Sequence, residues 1–282
     1  MRGKLGCPRA KKSLGQSFLK DNNVVNKIIS SCALQKDDTV LEIGPGHGEL
    51  TRAIVKQVKR LVCVELDPVL YGMLKDDLGE NENLQIINAD ILKTDLDQYL
   101  GKEKGRVKVI GNIPYYITTP ILEHLFEYLE RIGEIFLTVQ KEFARRVVSL
   151  PGSREYGSFS CFAQFYTDAR ILFYIKKGSF FPVPKVDSAF IRMRVRREPP
   201  VVVKDQELFF KVVRASFGQR RKMLKNSLKK AVPQAVLEAY FNRYALDPKV
   251  RAESLSLQDF ANLANLLIRD SGLLSKTSTI GK

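Results

Sequence analysis

The 282-residue chain contains no apolar run approaching the roughly 20 residues that a helix needs to cross a bilayer. A helical membrane protein is therefore not expected. Its first 20 residues carry cations but lack an apolar h-region and a small-residue cleavage site, so no secretory signal is expected and the chain is assigned to the cytoplasm as a soluble protein. Histidine is scarce, with only His47 and His124, and the four cysteines, Cys7, Cys32, Cys63 and Cys161, show no C-x-x-C spacing. That excludes the usual zinc-ligand patterns and a disulfide framework, and no metal is expected. Cys63 and Cys161 read as small core residues, Cys7 and Cys32 as incidental thiols. Internal repeats are missing as well, and the one low-complexity stretch is a polar tail after Arg269, expected to lack order.

Acid is missing from two stretches. Residues 1–20 hold six Lys or Arg and residues 208–230 hold eight, with no Asp or Glu in either, so these 14 cations nearly account for the net charge of +15. A surface tuned only for solubility intersperses both signs, whereas concentrated charge of one sign is the footprint of a polyanion. Nucleic acid is the expected partner, with an acidic membrane surface and a merely solvated basic segment as the alternatives.

What the chain has in abundance is alternation. Apolar runs at Thr39–Ile43, Leu61–Glu65, Leu84–Ile87, Val107–Ile110 and Ile135–Val139 read as strands, most of them buried on both faces. Between them, Glu49–Val58, Pro68–Leu78 and Thr119–Leu129 carry apolar residues at helical spacing, with Pro68 and Pro120 where a first turn tolerates proline. Repeated βα units build a parallel sheet, so the fold class is α/β. Ile171–Ile175 and Ala189–Val195 then read as an antiparallel pair closing one side of the sheet. Glu198-Pro199-Pro200 breaks the pattern, which divides the chain into a domain over 1–200 and a smaller helical domain over 201–282. In the latter, Leu224, Leu228 and Ala231 fall on one helical face and Arg221, Lys225 and Lys229 on another, an arrangement that packs inward and presents cations outward.

Glu42-Ile43-Gly44-Pro45-Gly46-His47-Gly48 follows the first of these strands and opens a helix, the position at which a doubly wound sheet binds an adenosine-containing ligand. Gly44 and Gly46 allow a sharp turn and close approach. The G-x-G-x-G spacing differs from the G-x-G-x-x-G of dinucleotide enzymes, which argues against a pyrophosphate cradle. Glu65, ending the second strand, is placed to accept bonds from two ribose hydroxyls, and Asp90, after the third, to accept one from an adenine amine. A glycine loop with two such acids describes a nucleoside without phosphates, which suits S-adenosylmethionine.

Gly111-Asn112-Ile113-Pro114-Tyr115-Tyr116 follows the fourth strand. An adenine amine is a poor nucleophile because its lone pair is delocalised into the ring. Two acceptors aimed at its N–H groups favour a pyramidal nitrogen, and the Asn112 side-chain oxygen and Pro114 carbonyl can supply them while Tyr115 stacks on the base. No strong base is needed, since the methylated amine can lose its proton to water.

Together Leu14-Gly15-Gln16-Ser17-Phe18-Leu19, the glycine loop, Glu65-Leu66-Asp67, Asn112-Ile113-Pro114-Tyr115 and Phe181-Pro182-Val183-Pro184-Lys185-Val186-Asp187-Ser188 resemble the rRNA adenine dimethyltransferase family. Phe217-Gly218-Gln219-Arg220-Arg221-Lys222 and Asn226-Ser227-Leu228 are most similar to its KsgA-type branch. The resemblance runs from about Leu14 to Leu267. It implies a Rossmann-like S-adenosylmethionine-dependent methyltransferase domain with a smaller helical, RNA-binding C-terminal domain. It further implies that Gln16, Ser17 and Leu19 line the donor's methionine end, that Gly44, Glu65 and Asp90 hold its amino acid, ribose and adenine, and that Asn112 bridges donor and target. Phe181 would form the second wall of the base slot opposite Tyr115. Ser17 is a departure, because many relatives carry Asn there. The implied substrate is a pair of adjacent adenosines near the 3′ end of small-subunit rRNA, met by a monomer within a pre-30S particle and converted to dimethyladenosine. An Erm-like action on the large subunit, and an assembly factor with secondary catalysis, remain as alternatives.

Overall fold

A computed structural model describes residues 15–101, 107–219 and 221–277. Residues 1–14, with Cys7, Leu14 and most of the first basic stretch, and Arg220 of the second lie outside the described residues.

The chain divides into two compact units, one running up to Ala144 and including Asp168–Val195, the other formed by Arg145–Thr167 and the chain from Arg196 onward. Among the described residues the first is built on nine strands: β1 (Phe18–Leu19), β2 (Thr39–Ile43), β3 (Arg60–Glu65), β4 (Leu84–Asn88), β5 (Val107–Asn112), β6 (Ile132–Gln140), β7 (Thr167–Ile175), β8 (Phe180–Phe181) and β9 (Ser188–Val195). Seven make one sheet in the order β4-β3-β2-β5-β6-β9-β7, while β1 and β8 form a separate antiparallel pair. From β4 to β6 all neighbours are parallel, and β9 runs antiparallel to β6. The five expected βα strands are all present, and the expected closing strands β7 and β9 are neighbours at the far edge. Apolar side chains of β2, β3 and β5 are buried, which is the state that their near-continuous hydrophobic runs encode.

The helices of this unit are α1 (Asn22–Ser31), α2 (Thr51–Ile54), α3 (Pro68–Leu78) and α4 (Thr118–Leu125). Asp21 and Asp67 cap α1 and α3 by accepting from the backbone N–H two residues on, and Pro68 occupies the first turn of α3. The expected helix over Glu49–Val58 is reduced to α2 and flanking turns. The Asn83 amide explains the early stop: it donates to the carbonyls of both Val55 and Val58, at 2.8 and 2.9 Å, in place of further helical N–H groups. The pattern expected over Thr119–Leu129 starts one residue earlier and tightens into a 3₁₀ turn at Phe126–Tyr128.

Six further helices follow among the described residues: α5 (Lys141–Val148), which straddles the boundary between the units, α6 (Ser158–Tyr166), α7 (Gln206–Phe217), α8 (Leu224–Leu228), α9 (Gln234–Arg243) and α10 (Leu257–Thr277). The core of the second unit joins Tyr156, Cys161 and Phe165 to Phe209, Phe217, Leu224, Tyr240 and Phe260. A single cut at residue 200 therefore does not describe the chain, because Arg145–Thr167 clusters with the C-terminal helices. Aromatic side chains of α6 pack on Phe209 and Phe210 of α7, neighbours that no linear pattern announces. Leu224 and Leu228 are buried and Arg221, Lys225 and Lys229 exposed, as the helical pattern expects. Ala231 departs from it, being exposed past the end of α8 while Val232 takes the buried place. In the tail after Arg269, the residues up to Thr277 are helical as the end of α10, and residues 278–282 lie outside the described residues.

Cys63 and Cys161 are buried, as expected. So is Cys32, which corrects its reading as an incidental thiol. It sits among Ile28, Ile29 and Val40 with no exposed surface, and burial pushes its thiol up to about 12.

Candidate active site

In a parallel sheet every strand delivers its C-terminal residue to the same edge. The register shows this directly: Ile43 pairs with Val64 and Gly111, and Glu65 pairs with Asn88. The Gly44 turn, Glu65, Asp90 and Asn112 thus emerge side by side from β2, β3, β4 and β5. One cavity is lined by Gln16, Ser17, Leu19, Gly44, Gly46, Glu65, Asp90, Asn112, Pro114 and Tyr115, all of the sequence-derived site residues except Phe181.

Gly44 and Gly46 have φ of +64° and +62°, a region that costs other residues strain. They differ in surroundings. A Cβ on Gly46 would lie 2.9 Å from Phe18 Cδ1, whereas one on Gly44 would meet nothing within 4 Å. Open space therefore faces Gly44, and a ligand can approach its backbone.

Glu65 is held from both sides, its Oε2 accepting from Gly46 N–H at 3.0 Å and its Oε1 from Asp67 N–H at 2.9 Å. Burial raises its pKa, and these two N–H groups work against the rise. Each oxygen keeps acceptor capacity. The Asp90 carboxylate accepts from Leu92 N–H at 3.0 Å and caps the short turn beyond β4. Gln16 Nε2 donates to Asp67 at 3.3 Å, tying the segment before β1 to the end of β3.

Asn112 Nδ2 donates to the Ser17 carbonyl at 2.9 Å, which leaves its Oδ1 as the free-facing acceptor of the amide. The Pro114 carbonyl accepts two long bonds, from Ile117 N at 3.3 Å and Thr118 Oγ1 at 3.5 Å. Tyr115 is half-buried, and burial raises its phenol pKa while a bond to Ser188 lowers it. Phe181 lies outside the cavity lining and is 64 % exposed. It pairs with Phe18 across the β1–β8 ribbon, next to Pro182, whose carbonyl accepts from Ser17 Oγ at 2.8 Å.

Sequence reasoning passed over other lining residues, notably Glu42, Leu66, Ile91 and Tyr116. Leu66 is 47 % exposed beside two acids, so it offers an apolar wall. Its signal was an apolar residue directly after a strand-ending Glu. Glu42 is fully buried in the centre of the sheet, and burial raises its carboxyl to about 7. Cys63 Sγ stands 3.4 Å from it.

A mostly parallel sheet in this strand order, with the glycine loop and the Asn-Ile-Pro-Tyr turn at its carboxyl edge, defines the Rossmann-like methyltransferase class. A dimethyladenosine transferase from Plasmodium falciparum has the same fold, with a TM-score of 0.75 over 87 % of this chain and 95 % of that one at 22 % identity. The 23S rRNA methyltransferase ErmE is 26 % identical, with a TM-score of 0.69 over 89 % of this chain and 99 % of that one. Residues 8–269 match the ribosomal RNA adenine dimethylase family, and the chain belongs to it. Its relatives include proteins called ribosomal RNA small subunit methyltransferase A. That of Geobacillus thermodenitrificans is 40 % identical, covering 92 % of this chain and 91 % of its own length. That of Caldanaerobacter subterraneus is 41 % identical, covering 92 % and 97 %.

Proposed function

We propose that this methyltransferase takes methyl groups from S-adenosylmethionine and places them on the exocyclic amines of two adjacent adenosines near the 3′ end of small-subunit rRNA. The observation that carries the reading is the orientation of Asn112. With Nδ2 engaged by the Ser17 carbonyl, Oδ1 is the group left to accept from an adenine N–H.

The donor fits the residues present: Gly44 faces open space, Glu65 retains acceptor capacity for ribose hydroxyls, and Leu66 and Ile91 offer apolar surface beside Asp90 for an adenine ring. When bound it supplies a sulfonium-borne methyl that a nitrogen lone pair can take, the S–CH₃ bond breaking as N–CH₃ forms. Asn112 Oδ1 and the Pro114 carbonyl accept hydrogen bonds from the two amine N–H groups, drawing the nitrogen toward a pyramidal geometry with its lone pair toward the methyl, and the methylated amine then releases one proton to water. The Tyr115 ring stacks on the base. Phe181, exposed outside the cavity, offers a second aromatic face to an extruded adenosine. Cations on α7, α8 and their connection, among them Arg214, Arg221, Lys222 and Lys225, are exposed and meet phosphates. A monomer acting on a pre-30S particle in the cytoplasm completes the reading.

The test offers purified protein and labelled donor to unmethylated small-subunit particles, to large-subunit particles and to naked rRNA of each kind. Dimethyladenosine in small-subunit RNA is expected. Label confined to large-subunit RNA would overturn the assignment in favour of an Erm-like enzyme, and monomethyladenosine as the sole end product would remove the second transfer.

A further inference from the structure

The reversal of strand direction at β9 has a chemical consequence. Because β9 runs antiparallel to β6, its first residue, Ser188, lies at the edge where the parallel strands end, opposite Gln140 in the register. In that place Ser188 is fully buried, and its Oγ stands 2.5 Å from the Tyr115 hydroxyl. Tyr115 follows the end of β5 by three residues. Its own carbonyl accepts from Thr118 Oγ1 at 3.1 Å, and Thr118 is also buried. Tyr115 is thus gripped at both ends, by Thr118 at the backbone and by Ser188 at the phenol. A ring carried on two side-chain torsions sweeps a wide arc when only its backbone is fixed. A hydroxyl anchor at the far end of the side chain removes most of that freedom.

We infer that Ser188 is a positioning residue for methyl transfer, holding the Tyr115 ring in the plane against which the target adenine stacks. This rests on the reading of Tyr115 as the stacking wall. Ser188 has no direct part in donor binding, and it is not among the residues lining the donor cavity. Its effect is on transfer: a base stacked on a wandering ring reaches the methyl in the right orientation less often.

The experiment compares wild type with Ser188→Ala, Tyr115→Phe, the double variant and Tyr115→Ala, on unmethylated small-subunit particles, with donor affinity measured separately by calorimetry. Loss of one neutral hydrogen bond leads us to expect kcat to fall roughly five- to tenfold in Ser188→Ala and equally in Tyr115→Phe, with the donor Kd within about twofold of wild type. The double variant is expected to be no slower than either single one, because both remove the same bond. A Ser188 that merely supports the fold gives multiplied losses in the double variant, and that result overturns the inference. Should Ser188→Ala fail to fold, Tyr115→Phe decides alone: a wild-type kcat in it overturns the inference. Tyr115→Ala separates the two levels. If it is inactive while Ser188→Ala and Tyr115→Phe run at the wild-type rate, Tyr115 is the wall and Ser188 does not set it. If Tyr115→Ala itself keeps the wild-type rate, the stacking assignment fails first.

Discussion

Two glutamates one strand apart illustrate how a single residue type divides its duties. Glu65 is buried at the rim, with a backbone N–H on each oxygen, and its remaining acceptor capacity faces the cavity. Glu65→Gln keeps the shape but removes the charge, and charged acceptors are worth roughly 1.5 to 3 kcal/mol per bond, so donor Kd is expected to rise at least tenfold by calorimetry. Unchanged affinity in a folded variant would remove Glu65 from the donor site. Glu42 is more deeply buried, and its carboxyl rises from an ordinary value of 4.5 to about 7. The folded state therefore holds a proton that the unfolded chain has released between those values, so this group's contribution is fully present below pH 4.5 and is lost as pH climbs toward 7. Glu42→Gln keeps a neutral acceptor for the Cys63 thiol and is expected to gain on wild type over that window. The gain levels off above about pH 7 at on the order of 3 kcal/mol, read from denaturant unfolding at about pH 5 and pH 8. A gain that does not depend on pH would show that Glu42 is ionised in the fold. Both acids were legible as strand-end chemistry or as part of a strand. The depth of burial that separates them was not, because it depends on which strands flank β2.

At the scale of elements, the glycine loop and the helix after it behave differently under substitution. Gly46→Ala and Gly44→Ala each carry roughly 1 to 2 kcal/mol for a side chain at positive φ. Gly46→Ala additionally drives a methyl into Phe18, so its melting temperature is expected to fall further, while Gly44→Ala, whose methyl points into open space, is expected to weaken donor binding more than stability. Equal melting temperatures would mean that Phe18 moves aside freely. Beyond the loop, Asn83→Ala strips the donor from two carbonyls at the end of α2, costing about 1 to 2 kcal/mol in unfolding free energy with no change in catalysis. The sequence pattern over Glu49–Val58 is a fair helix pattern. It overran because the residue that terminates α2 lies 25 residues beyond Val58 in the chain.

For the whole molecule, charge is the property that composition reports most directly. Lys211, Arg214, Arg221, Lys222, Lys225, Lys229 and Lys230 are all exposed while Phe209, Phe217, Leu224 and Leu228 between them are buried. The helices therefore pack by their apolar faces and leave the cations to solvent. Reversing charge at Arg221, Lys222 and Lys225 is expected to weaken RNA binding and flatten its salt dependence by roughly 0.7 to 0.9 units of log slope for each phosphate that is no longer neutralised. An unaltered slope would make this a solvated face.

The amino-acid sequence by itself determined the parallel sheet and the order of chemistry along its edge. Strands buried on both faces must be apolar runs, and the loop, acid and Asn-Ile-Pro-Tyr groups each sit within a few residues of a strand end, so local order carried them. Tertiary structure alone decided what depends on the meeting of distant parts of the chain. Ser17 meets Pro182 across 165 residues and Tyr115 meets Ser188 across 73. Cys32 is enclosed by β2 and its neighbours, Phe181 is drawn out to pair with Phe18, and Arg145–Thr167 joins the later helices, Tyr166 meeting Gln206 across 40 residues. Such placements follow from strand order, strand direction and register, which set which side chains share a space, and no local pattern encodes them.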